Sequence, residues 1–180
     1  MRTVFVSFSH LDQQSVDDFI VTWTENERVF IPKILGVGDE DDFINSDNPE
    51  YVMAQIRSRY LEDSTVTIAL IGPCTHSRRY VDWEIKASLT QGDDYLPNGL
   101  LGILLPGLRS AHLPPRFKLN WNSNEHNCYA RYRVSPQSAW QLSSWIEDAL
   151  AARTERSQFI ENPREMMKYN STCAVCSVTH

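Results

Sequence analysis

Residues 64–71 read Ser-Thr-Val-Thr-Ile-Ala-Leu-Ile and stop at Gly72-Pro73. A run this short, built from β-branched and aliphatic residues with a continuous apolar end, suits a strand buried on both faces. Strands of that kind belong to parallel sheets covered by helices on either side. The same character recurs at residues 3–8, Thr-Val-Phe-Val-Ser-Phe, and at residues 100–105, Leu-Leu-Gly-Ile-Leu-Leu, before Pro106-Gly107. Residues 29–35 form a further apolar run. Pro32 interrupts it and assigns it to an edge or irregular strand, because proline cannot donate to a ladder. Residues 128–134 are a candidate last strand.

Helical patterns lie between these runs. Val16, Phe19, Ile20 and Trp23 recur at i, i+3, i+4 and i+7, with Asp12 as the expected N-cap. Asn45-Ser46-Asp47-Asn48-Pro49 predicts a helix start capped by Asp47 or Asn48, followed by an apolar face of Val52, Ile56 and Tyr60. Another helix is expected at about residues 77–90. A last one follows Ser135-Pro136 and carries Trp140, Leu142, Trp145, Ile146 and Leu150. Strand and helix alternate, which predicts an α/β, doubly wound, mostly parallel sheet of the flavodoxin-like kind with a C-terminal helical extension. The expected divisions are a core at 1–108, an irregular connection with a possible last strand and a packing helix at 109–156, and a tail at 157–180. That tail is either part of the same domain or poorly ordered. Ligands of such a fold gather beyond the carboxyl ends of the strands.

At 180 residues the chain suits one domain with a sizeable core. Its net charge of -6 argues against a general nucleic-acid binder, which needs a basic surface to neutralise phosphates. No stretch approaches the roughly 18–20 apolar residues that span a bilayer, so the expectation is a cytoplasmic protein with no membrane partner. Of Cys74, Cys128, Cys173 and Cys176, only the last two have motif spacing, and His180 is the sole histidine near them. The expectation is therefore no metal.

The residues at the strand ends exclude several chemistries. Ser9-His10-Leu11-Asp12 stands where a Rossmann glycine fingerprint would be, and no Gly-Lys-Ser/Thr phosphate loop occurs. The acidic pair and phosphorylatable Asp of a receiver domain are missing, as is a Gly-x-Ser-x-Gly elbow. The run Asp39-Glu40-Asp41-Asp42 lacks EF-hand ligand spacing and reads as a solvated loop. The helix after the central strand is more informative. At about 100° per residue, Val81, Ile85, Ser88 and Leu89 share the sheet-facing side, with Glu84 at its boundary beside Tyr80 and Trp83. Asp82 and Lys86 are expected to point toward solvent. A boundary carboxylate is placed to line a cleft.

Arg79-Tyr80-Val81-Asp82-Trp83-Glu84-Ile85, the central strand before it, the opening Val4-Phe5-Val6-Ser7-Phe8-Ser9-His10 and the later Asn98-Gly99-Leu100-Leu101-Gly102-Ile103 together resemble the TIR-like (Toll/interleukin-1 receptor-like) superfamily. The likeness is strongest to the TIR-like proteins of bacterial Thoeris anti-phage defence and covers roughly residues 3–106. It implies an enzyme that cleaves the nicotinamide-ribose bond of NAD and turns the ADP-ribose part into a signal nucleotide, a cyclic ADP-ribose isomer or an ADP-ribose adduct. NAD is then a substrate, with no cofactor. The resemblance makes Glu84 the catalytic residue. Phe8, Ser9 and His10, which come directly after the first strand, are the expected pocket wall, with Asp47, Tyr80 and Trp83 on the rim. Trp83 also has the size to fill a seam in the core. The implied partners are a separate effector protein that reads the nucleotide, a phage-derived trigger and further copies of the chain. The competing expectation is a non-catalytic TIR-like interaction module. The aromatic helix around Trp140 and Trp145 is expected to pack over the core, with dimer formation or recognition of a phage component as its alternatives.

Overall fold

The computed structural model describes residues 1–35, 46, 48–92 and 95–180. The acidic loop at 39–42 and the candidate Asp47 lie outside the described residues. Five strands, β1 (Arg2–Ser7), β2 (Phe30–Ile34), β3 (Val66–Ile71), β4 (Gly99–Leu104) and β5 (Arg131–Arg133), form one sheet in the order β2-β1-β3-β4-β5. Every pairing is parallel. The expected doubly wound α/β fold is therefore present, and the Pro32 strand takes an edge. Helices α1 (Gln13–Ile20), α2 (Pro49–Ile56), α3 (Arg79–Leu89), α4 (Pro115–Leu119) and α5 (Ala139–Glu155) lie between and after the strands. The short α4 falls in a segment whose proline and asparagine content predicts irregular chain.

Strand alternation sorts the core into two layers. Val4, Val6, Ile68, Leu70, Leu101 and Ile103 face Val16 and Phe19 of α1 and Leu142 and Ile146 of α5. Phe5 faces Val52 and Ile56 of α2, while Ala69, Ile71 and Leu100 face Val81 and Ile85 of α3 and Phe117 of α4. Each fully buried aliphatic side chain of this kind contributes about 1.5–3 kcal/mol, and that burial rather than intrinsic propensity holds the short elements in place. On the α3 side one row of residues crosses the sheet as Ser7, Ala69, Gly102 and Tyr132. The first three are small. A Cβ at Gly102 would lie 2.6 Å from the Phe117 ring, so the missing side chain is what lets α4 dock.

The caps explain the helix starts. Asn48 Oδ1 accepts from the backbone N–H groups of Glu50 and Tyr51 at 3.0 and 3.3 Å, and Ser138 Oγ accepts from Gln141 N at 3.2 Å. Asp12 does not cap α1 as expected. A 3-10 turn over His10–Asp12 precedes the helix, and Ser9 Oγ caps that turn by accepting from Leu11 N. The Asp12 carboxylate instead lies over Gly72, where a Cβ would come within 2.1 Å of it.

Asp82 is a second correction. It is 1% exposed and forms a bidentate pair with the fully buried Arg116, Nε to Oδ1 at 3.0 Å and a terminal nitrogen to Oδ2 at 3.2 Å. Helical periodicity places Asp82 on the face away from the sheet but cannot say what covers that face. Here α4 and residues 161–170 do. Arg116 also donates to Asn162 Oδ1 and Glu165 O, and Met167 N donates to Asp82 Oδ2. Lys86, half-buried, reaches Arg164 O in the same segment.

Candidate active site

In a sheet of order 2-1-3-4-5 the chain reverses direction between β1 and β3, and their adjacent carboxyl ends open a crevice. Ser7 ends β1 on the side facing α3. Its Oγ donates to Glu84 Oε2 at 2.6 Å, a charge-assisted bond across 77 residues of sequence. Glu84 is 5% exposed. The carboxylate is thus fixed over the end of β1, beside Ala69 of β3, and the small Ala69 leaves it room.

The backbone of α3 is tied down under this carboxylate. Ser88 Oγ donates to Glu84 O at 2.8 Å, Thr67 Oγ1 and Ser88 Oγ share a 2.7 Å bond, and Asn98 Nδ2 donates to Thr67 Oγ1 at 3.3 Å. Because the Ser88 proton is committed to Glu84 O, Thr67 is the donor to Ser88. This buried chain runs from Asn98, the residue before β4, through Thr67 of β3 into α3 and sets the helix height over the sheet.

The residues singled out from sequence separate in the fold. Glu84 stands at the switch point. Ser9 is buried at the same edge, and its hydroxyl serves the turn. His10 is half-buried and stacks on Phe8 at 5.3 Å with an interplanar angle of 21°. Phe8 packs in the cluster facing α1 and α5, on the opposite side of the sheet from Ser7. Tyr80 is half-buried, and its hydroxyl accepts from Arg79 at 2.7 Å. Trp83 fills the seam with Phe5, Leu35 and Val52, meets Tyr80 edge-on at 5.7 Å, and donates Nε1–H to Met167 O at 2.8 Å. The Arg79 guanidinium lies 4.7 Å from the Tyr80 ring centre and 5.3 Å from that of Trp83.

The family model for the TIR-like domain of the Thoeris protein ThsB matches residues 5–110. The chain belongs to this ThsB TIR-like family. The matched span holds the second half of β1, then β2, β3 and β4, and the helices α1, α2 and α3, so Ser7 and Glu84 both fall inside it. Arg116, β5, α5 and the tail lie beyond it, whereas Asp82, the partner of Arg116, lies inside it. No individually curated protein matches the sequence.

Two groups at the ThsB-like switch point have no strong signal in the sequence. Ser7 is the partner of Glu84; its signal is a polar residue sharing strand parity with the buried Phe5. Asp12 brings a carboxylate against Gly72 and Thr75 at the end of β3. Burial raises its pKa, and the Thr75 hydroxyl and the Arg78 charge offset this in part. Two clefts, of about 720 and 400 Å³, open at the other end of the sheet. The larger is lined by Ser64, Asn98 and Arg57, the smaller by Met1, Val29 and Trp140. Ser64, Asn98, Met1 and Val29 all precede strands, so neither cleft belongs to Glu84. Among the described residues no helix is long and apolar enough to cross a membrane.

Proposed function

We propose that this protein cleaves the nicotinamide-ribose bond of NAD, with Glu84 as its catalytic residue, and passes the ADP-ribose part to an acceptor hydroxyl to form a signal nucleotide. The observation that carries this reading is the buried Glu84 carboxylate, held by Ser7 at the β1/β3 switch point. An ordinary glycoside needs an acid to protonate its leaving oxygen and a second carboxylate across the sugar. Nicotinamide departs as a neutral pyridine carrying the bonding electron pair, so it requires no acid. What the reaction needs is an anion beside the cation developing at the ribose, preorganised before the bond breaks. The Ser7 bond fixes one carboxylate oxygen, and the chain from Asn98 to the Glu84 carbonyl fixes the helix that carries it.

The acceptor oxygen then bonds to the anomeric carbon and loses its proton to solvent water. If that oxygen belongs to the same nucleotide the product is cyclic; if it belongs to another molecule the product is an adduct. Low exposure at Glu84 favours such capture over hydrolysis, because bulk water competes for the same cation. A separate effector reads the product, and a phage-derived trigger or association of copies completes the pocket. We place the protein in the cytoplasm, where NAD is available.

Purified, activated protein should release nicotinamide and form an ADP-ribose product. Glu84→Gln should abolish both with the far-UV spectrum unchanged. A non-catalytic interaction module makes the opposite forecast: defence survives Glu84→Gln and is lost when exposed helix residues are changed.

A further inference from the structure

Cys173 and Cys176 lie three residues apart and His180 comes four later, which leaves the spacing one donor short of a closed metal site. The fold supplies a donor that sequence separation conceals. Cys74 stands in the loop leaving β3, directly after Gly72-Pro73, and the tail returns to it. Cys74 Sγ lies 2.7 Å from Cys173 Sγ and 3.5 Å from Cys176 Sγ, and Cys176 Sγ lies 3.0 Å from His180 Nε2. The donor atoms of Cys74, Cys176 and His180 all fall within 4.8 Å of one another. All four cysteines of the chain are free thiols, and only Cys128 stands apart from this cluster, next to Arg131.

We infer that Cys74, Cys173, Cys176 and His180 bind one zinc ion as a structural site. Three sulfurs and one imidazole nitrogen are a usual donor set for tetrahedral zinc, and Zn–S bonds of about 2.3 Å set the sulfurs about 3.7 Å apart. Closing the tetrahedron requires the Cys74 and Cys173 sulfurs, now 2.7 Å apart, to separate by about 1 Å. Four protein donors fill the tetrahedron and leave no open position, so the ion holds structure rather than activating water. Binding releases the three thiol protons to solvent.

The surrounding backbone is shaped for this role. Cys173 N donates to Val178 O and Ser177 N to Cys173 O, both at 2.9 Å, and Ser177 closes the turn with a φ of 60°. Asn170 Nδ2 donates to His180 O, and Asn170 Oδ1 accepts from Arg79 N at 2.8 Å. His76 Nε2 accepts from Ala174 N at 3.0 Å. Such outer bonds orient the groups that hold a metal. The ion therefore pins the tail to the β3–α3 loop and, through Asn170, to the first residue of the helix that bears Glu84. This inference is independent of the NAD reading.

Tag-free protein expressed with added zinc should carry about one zinc per chain by elemental analysis, as should Cys128→Ser. Cys74→Ser and Cys176→Ser should each fall below about 0.2, and a strong chelator should lower the wild-type melting midpoint by about 5 °C or more. Should those variants fail to fold, cobalt-loaded wild type supplies the answer through the thiolate charge-transfer and d–d bands of a tetrahedral site. Wild type that takes up neither zinc nor cobalt overturns the inference. So does a Cys74–Cys173 disulfide in protein isolated under non-reducing conditions.

Discussion

At the scale of single residues, the site rests on one hydroxyl and one carboxylate. Ser7 and Glu84 meet at 2.6 Å in a buried setting, where a hydrogen bond to a charged group is worth about 1.5–3 kcal/mol. If that bond aims the carboxylate at the ribose, Ser7→Ala should lower kcat for nicotinamide release by about 10–100-fold while KM for NAD changes little. Steady-state kinetics check this, and equal losses in kcat and in fold stability would reduce Ser7 to a packing role. The two residues cannot be paired from sequence, since the contact exists only once β1 and α3 are assembled. Glu84 itself is readable as the boundary carboxylate of the helix within Tyr80-Val81-Asp82-Trp83-Glu84. Ser7 carries only a parity signal, and Phe8, which draws attention as an aromatic beside the site, belongs to the opposite face.

At the scale of elements, the outer face of α3 is the informative surprise. Burial of the Asp82–Arg116 pair is sustained by Asn162 and Glu165, which accept from Arg116, and by Met167 N, which donates to Asp82, so both carboxylate oxygens and all three guanidinium nitrogens are hydrogen-bonded. Removing one partner strands the other. Arg116→Met should therefore destabilise the protein by about 3–5 kcal/mol in urea unfolding, and Asp82→Leu added to it should recover much of that loss. Recovery of nothing would mean that the tail, not the charge, sets the cost. The elements readable in sequence, β1, β3, β4 and α3, announce themselves by apolar period and length. The five-residue α4 is too short to show a period, and the tail is fixed by side chain to backbone bonds such as Asn120 to Glu161 O and Arg79 to Lys168 O, which leave no pattern in hydropathy.

At the scale of the whole molecule, charged clips join the last strand to the final helix. Arg131 lies between Glu125 and Asp148, Arg133 pairs with Glu125, and Arg156 pairs with Asp148. Burial alone would raise the Glu125 carboxyl, but bonds to Arg133 and the charges of Arg133 and Arg131 outweigh it and hold the pKa below its ordinary 4.5. A depressed folded value means that the unfolded chain binds more protons in that window. The stability from Glu125 is thus fully present above about pH 4.5 and is lost as pH falls through the folded value. Glu125→Gln should flatten the acid limb of a melting-temperature profile, and an unchanged limb would show that Glu125 contributes nothing to acid stability. The NAD chemistry proposed for Glu84 meets its sharpest test in a single comparison: nucleotides extracted from phage-challenged cells and resolved by mass spectrometry, wild type against Glu84→Gln. Falling NAD, free nicotinamide and an ADP-ribose-derived product are expected in the wild type, and none of these in a variant that folds and accumulates equally. The same product at the same level in both would contradict a catalytic Glu84.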